Sequence, residues 1–287
     1  MTLIDRFIAF INRTFWGSTP SHPDNVENTI TEVTMSKKAL CVGINDYPGS
    51  ENDLSGCIND CNDWAKIFAG KYGFGSIEKL QNGQATMKGV KDALTKLVTQ
   101  SVSGDVLAFT YSGHGSYVVD ASGDEPDSKD ETIYAYDGHI TDDELRAILE
   151  KLPAGVNMTV ILDSCHSGTA TRFVRPGAPK PRFMLPPEDG ASKYANLPSK
   201  KAMLAESQMK EILFTGCHST EYSYDANFKG VPNGAFTKTA IDALNKMGNP
   251  TCIELFEEIR KKLPSNSYPQ TPQFEGATAN KTRKVFT

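Results

Sequence analysis

Two residues able to do covalent chemistry stand at the ends of two apolar runs. In "NMTVILDSCHSG" the run stops at Asp163, Ser164 and Cys165; in "DVLAFTYSGHG" it stops at Ser112, Gly113 and His114. A cysteine becomes a strong nucleophile when a neighbouring base takes its proton, and histidine is suited to that task at neutral pH. Gly113 and Gly115 flank the histidine, which lets the backbone turn sharply and come close to a bound chain. Backbone N–H groups of Gly115 and Cys165 are then placed to converge on a developing oxyanion. Together these parts predict acyl transfer with His114 and Cys165 as catalytic residues. His166 is nearer in sequence, but adjacent side chains on an extended segment point to opposite sides, so it is read as structural. His22, His139 and His218 stand without supporting context.

The elements that must position this pair alternate along the chain. "KKALCVGIND", "SIEKLQN", "DVLAFTYSGHG", "NMTVILDSC" and "KEILFTGCH" read as strands, with "TPQFEG" as a short last one. Helical patterns lie between them, around Cys57–Phe68, Met87–Val98 and Thr141–Leu152, and then over 235–247 and 252–263. Thr141 with Glu144, and Thr251 with Glu254, form capping-box pairs. Continuous apolar strands separated by amphipathic helices predict an α/β fold, a mainly parallel central sheet with helices on both faces. In such a sheet ligands bind at the carboxyl ends of the strands, where His114 and Cys165 fall.

Composition narrows the class. The 287 residues carry a net charge of −5, which gives no nucleic-acid footprint, and no apolar run approaches the roughly 20 residues of a membrane span. Six cysteines spread without framework spacing predict free thiols in a reducing compartment, the cytoplasm. Residues 1–35 read as an amphipathic helix, packed on the domain or on a regulatory partner in preference to lying on a membrane surface, followed by a polar linker. Residues 171–205 hold six prolines and seven basic residues, a composition that predicts an exposed loop.

"YSGHG" and "DSCHSG", with "LSGCINDC" at 54–61 and "ILFTGCHSTEYSYDA…GAFT" at 212–237, resemble the caspase-like cysteine peptidases, specifically metacaspases and their prokaryotic relatives. The resemblance covers roughly residues 38–287. It implies a caspase–haemoglobinase fold and peptide-bond hydrolysis by a His–Cys dyad. A large-subunit-like portion (36–170) and a small-subunit-like portion (206–287) would be joined by the 171–205 linker. It also implies an acidic pocket for Arg or Lys, at the matching positions Cys57, Asp60, Ser112 and Asp163, with Asp225 a weaker candidate. Asp163 lies two residues before Cys165, on the same face of a strand. The resemblance further implies activating calcium near Asp130, Asp142 and Asp143. However, Arg172 stands where those relatives carry a further acidic ligand, so no cofactor is expected to be required.

An enzyme selective for basic residues that carries seven of them on a proline-rich loop is expected to cut itself. Arg175 and Lys180 precede prolines and make poor sites. Lys201 is favoured, with Arg182 and Lys193 as the other candidates. Two rival readings stand beside this one: a caspase-like module acting by docking partners, and a peptidase cleaving after Asp.

Overall fold

The computed structural model describes residues 35–119, 129–165, 179–186 and 205–287. The chain divides into Met1–Thr34 and a compact unit, Met35–Thr287. The expected N-terminal helix lies outside the described residues, as do His22, His166, Arg172, Lys193 and Lys201.

The compact unit begins with β1 (Lys37–Gly43), α1 (Cys57–Tyr72), β2 (Ser76–Gln81), α2 (Met87–Thr99) and β3 (Val106–Ser112). Next come β4 (Gly115–Val119), β5 (Lys129–Ala135), β6 (Gly138–Thr141), α3 (Asp142–Leu149) and β7 (Asn157–Asp163). After β8 (Lys180–Pro181) and β9 (Glu211–Thr215) the chain forms β10 (Tyr224–Phe228) and β11 (Val231–Gly234). It closes with α4 (Ala235–Lys246), α5 (Cys252–Arg260), β12 (Gln273–Glu275) and α6 (Thr278–Lys281).

Among the described residues the central sheet has six strands in the order β12-β9-β7-β3-β1-β2. All its pairings are parallel except that of β12 with β9. Period-2 alternation sorts its side chains between two cores. Leu40 and Val42 of β1 join Val90 and Leu94 of α2 and Leu145 and Ile148 of α3 on one face. Ala39 and Cys41 join Trp64 and Phe68 of α1, Phe236 of α4 and Leu255 of α5 on the other. β3 is buried along its whole length, which explains why its sequence does not alternate apolar with polar residues. Both expected capping boxes form, at Thr141/Glu144 and Thr251/Glu254.

Two small antiparallel sheets, β4-β5-β6 and β11-β10-β8, were not expected from the sequence. The second corrects the reading of 171–205 as exposed throughout. Within 179–186, Arg182 is completely buried and Met184 nearly so. Proline does not prevent this, because Pro181 sits in a two-residue edge strand on β10, where few ladder donors are needed.

Candidate active site

β3 and β7 are parallel neighbours with Ser112 in register with Asp163. The chain leaving each strand therefore delivers His114 and Cys165 to one edge of the sheet. Gly115, where β4 begins, must be glycine: a Cβ there would lie 1.7 Å from the carbonyl oxygen of Cys165. The two strand ends thus pack backbone against backbone.

His114 is held on several sides. Its N–H donates to the Tyr47 hydroxyl at 2.9 Å, and its carbonyl accepts from the Tyr111 hydroxyl at 2.7 Å and from Tyr134 N at 2.9 Å. Its Nε2 is 2.7 Å from the carbonyl oxygen of Asn52. A carbonyl can only accept, so the ring proton sits on Nε2 and Nδ1 keeps its lone pair. Nδ1 is buried and has no hydrogen-bond partner among the described residues. Burial pushes the ring's pKa down to about 4, with the charges of Lys180 and Arg182 adding to it and the Asn52 hydrogen bond opposing it. At neutral pH the imidazole is therefore an uncharged acceptor.

The Cys165 sulfur faces Ser223, donating to its carbonyl at 3.3 Å and accepting from its N–H at 2.9 Å. The Cys217 thiol is held well above its ordinary pKa, first by its hydrogen bond with Cys165 and then by burial, and so stays protonated.

Segment 180–184 lies across this edge as an extended chain. Arg182 N donates to Ser223 O at 2.9 Å. Its carbonyl oxygen accepts from Gly115 N at 3.0 Å and from Cys165 N at 3.1 Å, the two donors expected to form the oxyanion site. Met184 N then donates to Gly115 O at 2.9 Å. Upstream, Lys180 Nζ donates to the carbonyls of Glu51 and Asp53, on either side of Asn52.

The Arg182 guanidinium enters a pocket of three carboxylates. Nη2 lies 2.6 Å from Asp60 Oδ2 and 3.1 Å from Asp225 Oδ1. Nη1 lies 3.1 Å from Asp163 Oδ2 and donates to the Asp163 carbonyl at 3.1 Å. Each acid is itself anchored: Asp60 by Gly234 N and Asn233 Nδ2, Asp163 by Thr237 N and the Ser223 hydroxyl, Asp225 by Ser55 N and Gly56 N. Gly234 forms the wall; a Cβ there would lie 2.1 Å from Asp163 Oδ2 and 2.4 Å from Arg182 Nη1. Burial opposes the charge on Arg182, but the surrounding acids outweigh it and hold its pKa above the ordinary value. With three acids facing one cation, burial and then Asp163 keep Asp60 up at about 6, against the pull of Arg182.

Sequence reasoning thus named all three carboxylates, and Asp225, the weaker candidate, also contacts the guanidinium, at 3.1 Å. Cys57 is buried at the start of α1, its thiol pushed up by burial and drawn down by the Arg182 charge. Ser112 is buried at the end of β3 and makes no hydrogen bond to Arg182 among the described residues. Tyr47, Asn52 and Ser223 were missed; they act largely through backbone groups or a hydroxyl that carry no motif. His139 is buried against Thr132, and His218 sits in an exposed turn with Thr220.

Among the calcium candidates, burial and then the charges of Asp143, Glu131 and Asp130 push Asp142 up to about 7. Asp142 and Asp143 open α3, where acids are favoured by the helix terminus alone. Among the described residues no three His, Cys, Asp or Glu side chains converge as a metal site.

Residues 37–173 match the family model described as metacaspase, peptidase C14 domain. Metacaspase-1 of Cryptococcus neoformans var. neoformans is 32% identical over 301 residues, covering 89% of this chain; the chain spans 65% of that relative's length. Metacaspase-1 of Ajellomyces capsulatus is 32% identical over 295 residues, covering 88% of this chain and 82% of its own. Among solved structures, protein GSU0716 from Geobacter sulfurreducens matches with a TM-score of 0.71 at 32% identity, over 88% of this chain and 98% of that one. Caspase-1 from Spodoptera frugiperda, at 12% identity and a TM-score of 0.56 over 85% of this chain, shares the fold. The four sequence blocks, the caspase-like sheet and these relatives agree: the chain belongs to the metacaspases, a family of cysteine peptidases.

Proposed function

We propose that this chain is a cysteine endopeptidase cleaving after Arg or Lys, with Cys165 as nucleophile and His114 as base, and that Arg182–Phe183 is its own first scissile bond. One observation carries the reading. The Arg182 side chain fills the acidic pocket while its carbonyl accepts from both Gly115 and Cys165, the posture of a substrate residue before a scissile bond.

The chemistry begins when the Cys165 thiol turns its proton from the Ser223 carbonyl toward His114. His114 Nδ1 takes the Cys165 proton as sulfur attacks the Arg182 carbonyl carbon. The oxygen becomes an oxyanion held by the Gly115 and Cys165 N–H groups. Collapse breaks the C–N bond, and the departing Phe183 amine takes the proton from His114. Water, deprotonated by the same imidazole, then hydrolyses the thioester and restores the thiol. The Asn52 carbonyl keeps the imidazole proton on Nε2 throughout and steadies the imidazolium when it forms.

Of the three self-cleavage candidates, Arg182 alone lies within the described residues, and its seat at the reacting atoms favours it as a cleavage site. The acids that bind a guanidinium would repel an Asp side chain, which disfavours caspase-like specificity. Six unpaired, buried cysteines suit a reducing compartment such as the cytoplasm. Among the described residues no helix is long and apolar enough to cross a membrane.

The test uses peptides ending in Arg, Lys or Asp before a fluorogenic leaving group, offered to the purified, self-processed chain. Turnover is expected after Arg and Lys, and is expected to vanish in Cys165→Ala and His114→Ala. Turnover after Asp, or retained turnover in Cys165→Ala, would overturn the reading.

A further inference from the structure

The side of the site downstream of Arg182 is also built. Gly115 binds both flanks of the Arg182–Phe183 bond, through its N–H to Arg182 O and its carbonyl to Met184 N. That register fixes where the next two side chains go. The half-buried Phe183 ring meets two tyrosines: stacked on Tyr117 with centroids 6.3 Å apart, and edge-on to Tyr222 at 6.1 Å. Tyr117 is on β4, three residues beyond His114, and Tyr222 precedes Ser223, whose backbone holds both Arg182 and the Cys165 sulfur. Each wall of the slot is therefore tied to a strand or turn that positions the chemistry. Met184 follows into the apolar core and is only 9% exposed, in the buried cluster that contains Tyr47 and Ile133. Recognition stops there, since Leu185 is 66% exposed.

We infer that Tyr117 and Tyr222 form an aromatic-selective subsite for the residue after the cleaved bond, followed by an apolar seat. The preferred substrates are then peptides in which Arg or Lys precedes an aromatic residue and a long, flexible apolar one such as Met. This rests on the reading of segment 180–184 as a bound substrate. Aromatic residues gain contact geometry as well as burial in such a slot, and methionine adapts to an irregular seat. The downstream side belongs to the leaving group, so its contacts act on formation of the thioester and not on its hydrolysis.

Two internally quenched peptides, differing only in Phe-Met or Ser-Ser after a common Lys-Pro-Arg, are offered to the self-processed full chain. kcat/KM for Phe-Met is expected to exceed that for Ser-Ser by about tenfold or more, the scale of aromatic and methionine burial. Tyr117→Leu and Tyr222→Leu are each expected to shrink that ratio. Equal rates on the two peptides would overturn the aromatic subsite while leaving cleavage after Arg intact. A wild-type ratio in both variants would overturn its assignment to these tyrosines. Cleavage of neither peptide would overturn the peptidase reading and this inference with it.

Discussion

Asp60→Asn isolates the charge of the pocket with little change of shape. Asp60 Oδ2 makes the shortest contact to the guanidinium, 2.6 Å, while its Oδ1 accepts from Gly234 N and Asn233 Nδ2. An asparagine can keep the second set of bonds, but its amide nitrogen then faces the guanidinium donor to donor. The loss is that of one buried charge-assisted hydrogen bond, about 1.5–3 kcal/mol, or about 10- to 150-fold in kcat/KM for an Arg peptide. A citrulline peptide, neutral and nearly isosteric, serves as the control and should lose much less. The pH profile adds a second readout. With burial holding Asp60 up at about 6, its charge is present above that pH and is lost as pH falls through it. That value holds with a guanidinium in the pocket, so wild-type kcat on Arg peptides, the property of the occupied site, is expected to decline below about pH 6. In Asp60→Asn the acid limb should move down toward the titration of His114, at about 4. Equal losses on Arg and citrulline peptides, with an unmoved acid limb, would refute the claim that Asp60 acts through its charge.

Gly234→Ala places a methyl group 2.1 Å from Asp163 Oδ2 and 2.4 Å from Arg182 Nη1. A displaced guanidinium should cost roughly 10²-fold in kcat/KM, and near-wild-type rates on Arg peptides would show that the pocket lies elsewhere. Activity should survive a calcium chelator, given Arg172. Complete loss in chelator, restored by calcium, would instead promote Asp130, Asp142 and Asp143 to ligands. His114 bears on stability as well. Its folded pKa, about 4, lies below its ordinary value of 6.5, so its own contribution to stability falls as pH drops from 6.5 toward 4, while Asp60, held up at about 6, works the other way. The His114 contribution is about 3 kcal/mol and is read as the difference in denaturation midpoint between wild type and His114→Gln, which should change across that pH range and would stay constant if the imidazole were not its source.

The strands carrying His114 and Cys165 were legible because burial on both faces leaves an unmistakable apolar run, ending abruptly where the chemistry begins. The carboxylates were legible through the resemblance and, for Asp163, through strand periodicity. The β4-β5-β6 sheet was not. Its strands are short, and they flank an acidic stretch whose charges suggest ligation more readily than pairing. The sequence sets Arg182 beside Lys193, behind Lys201, as a cleavage candidate on an exposed loop, since nothing local marks it for burial. What buries it is the meeting of Asp60, Asp163 and Asp225, brought from three distant parts of the chain. Proline density describes the segment's own preference, and that preference is overridden where partners supply both backbone and charge. Likewise the Asn52 carbonyl that orients His114 is a backbone group, invisible to any motif.

The central claim is that segment 180–184 lies in the site as a substrate. The most direct measurement is the intact mass of the purified chain beside that of Cys165→Ala. The wild type is expected to resolve into two fragments broken between Arg182 and Phe183, while Cys165→Ala stays whole. A wild-type chain cut only elsewhere, or left uncut while turning over Arg peptides at full rate, would contradict it.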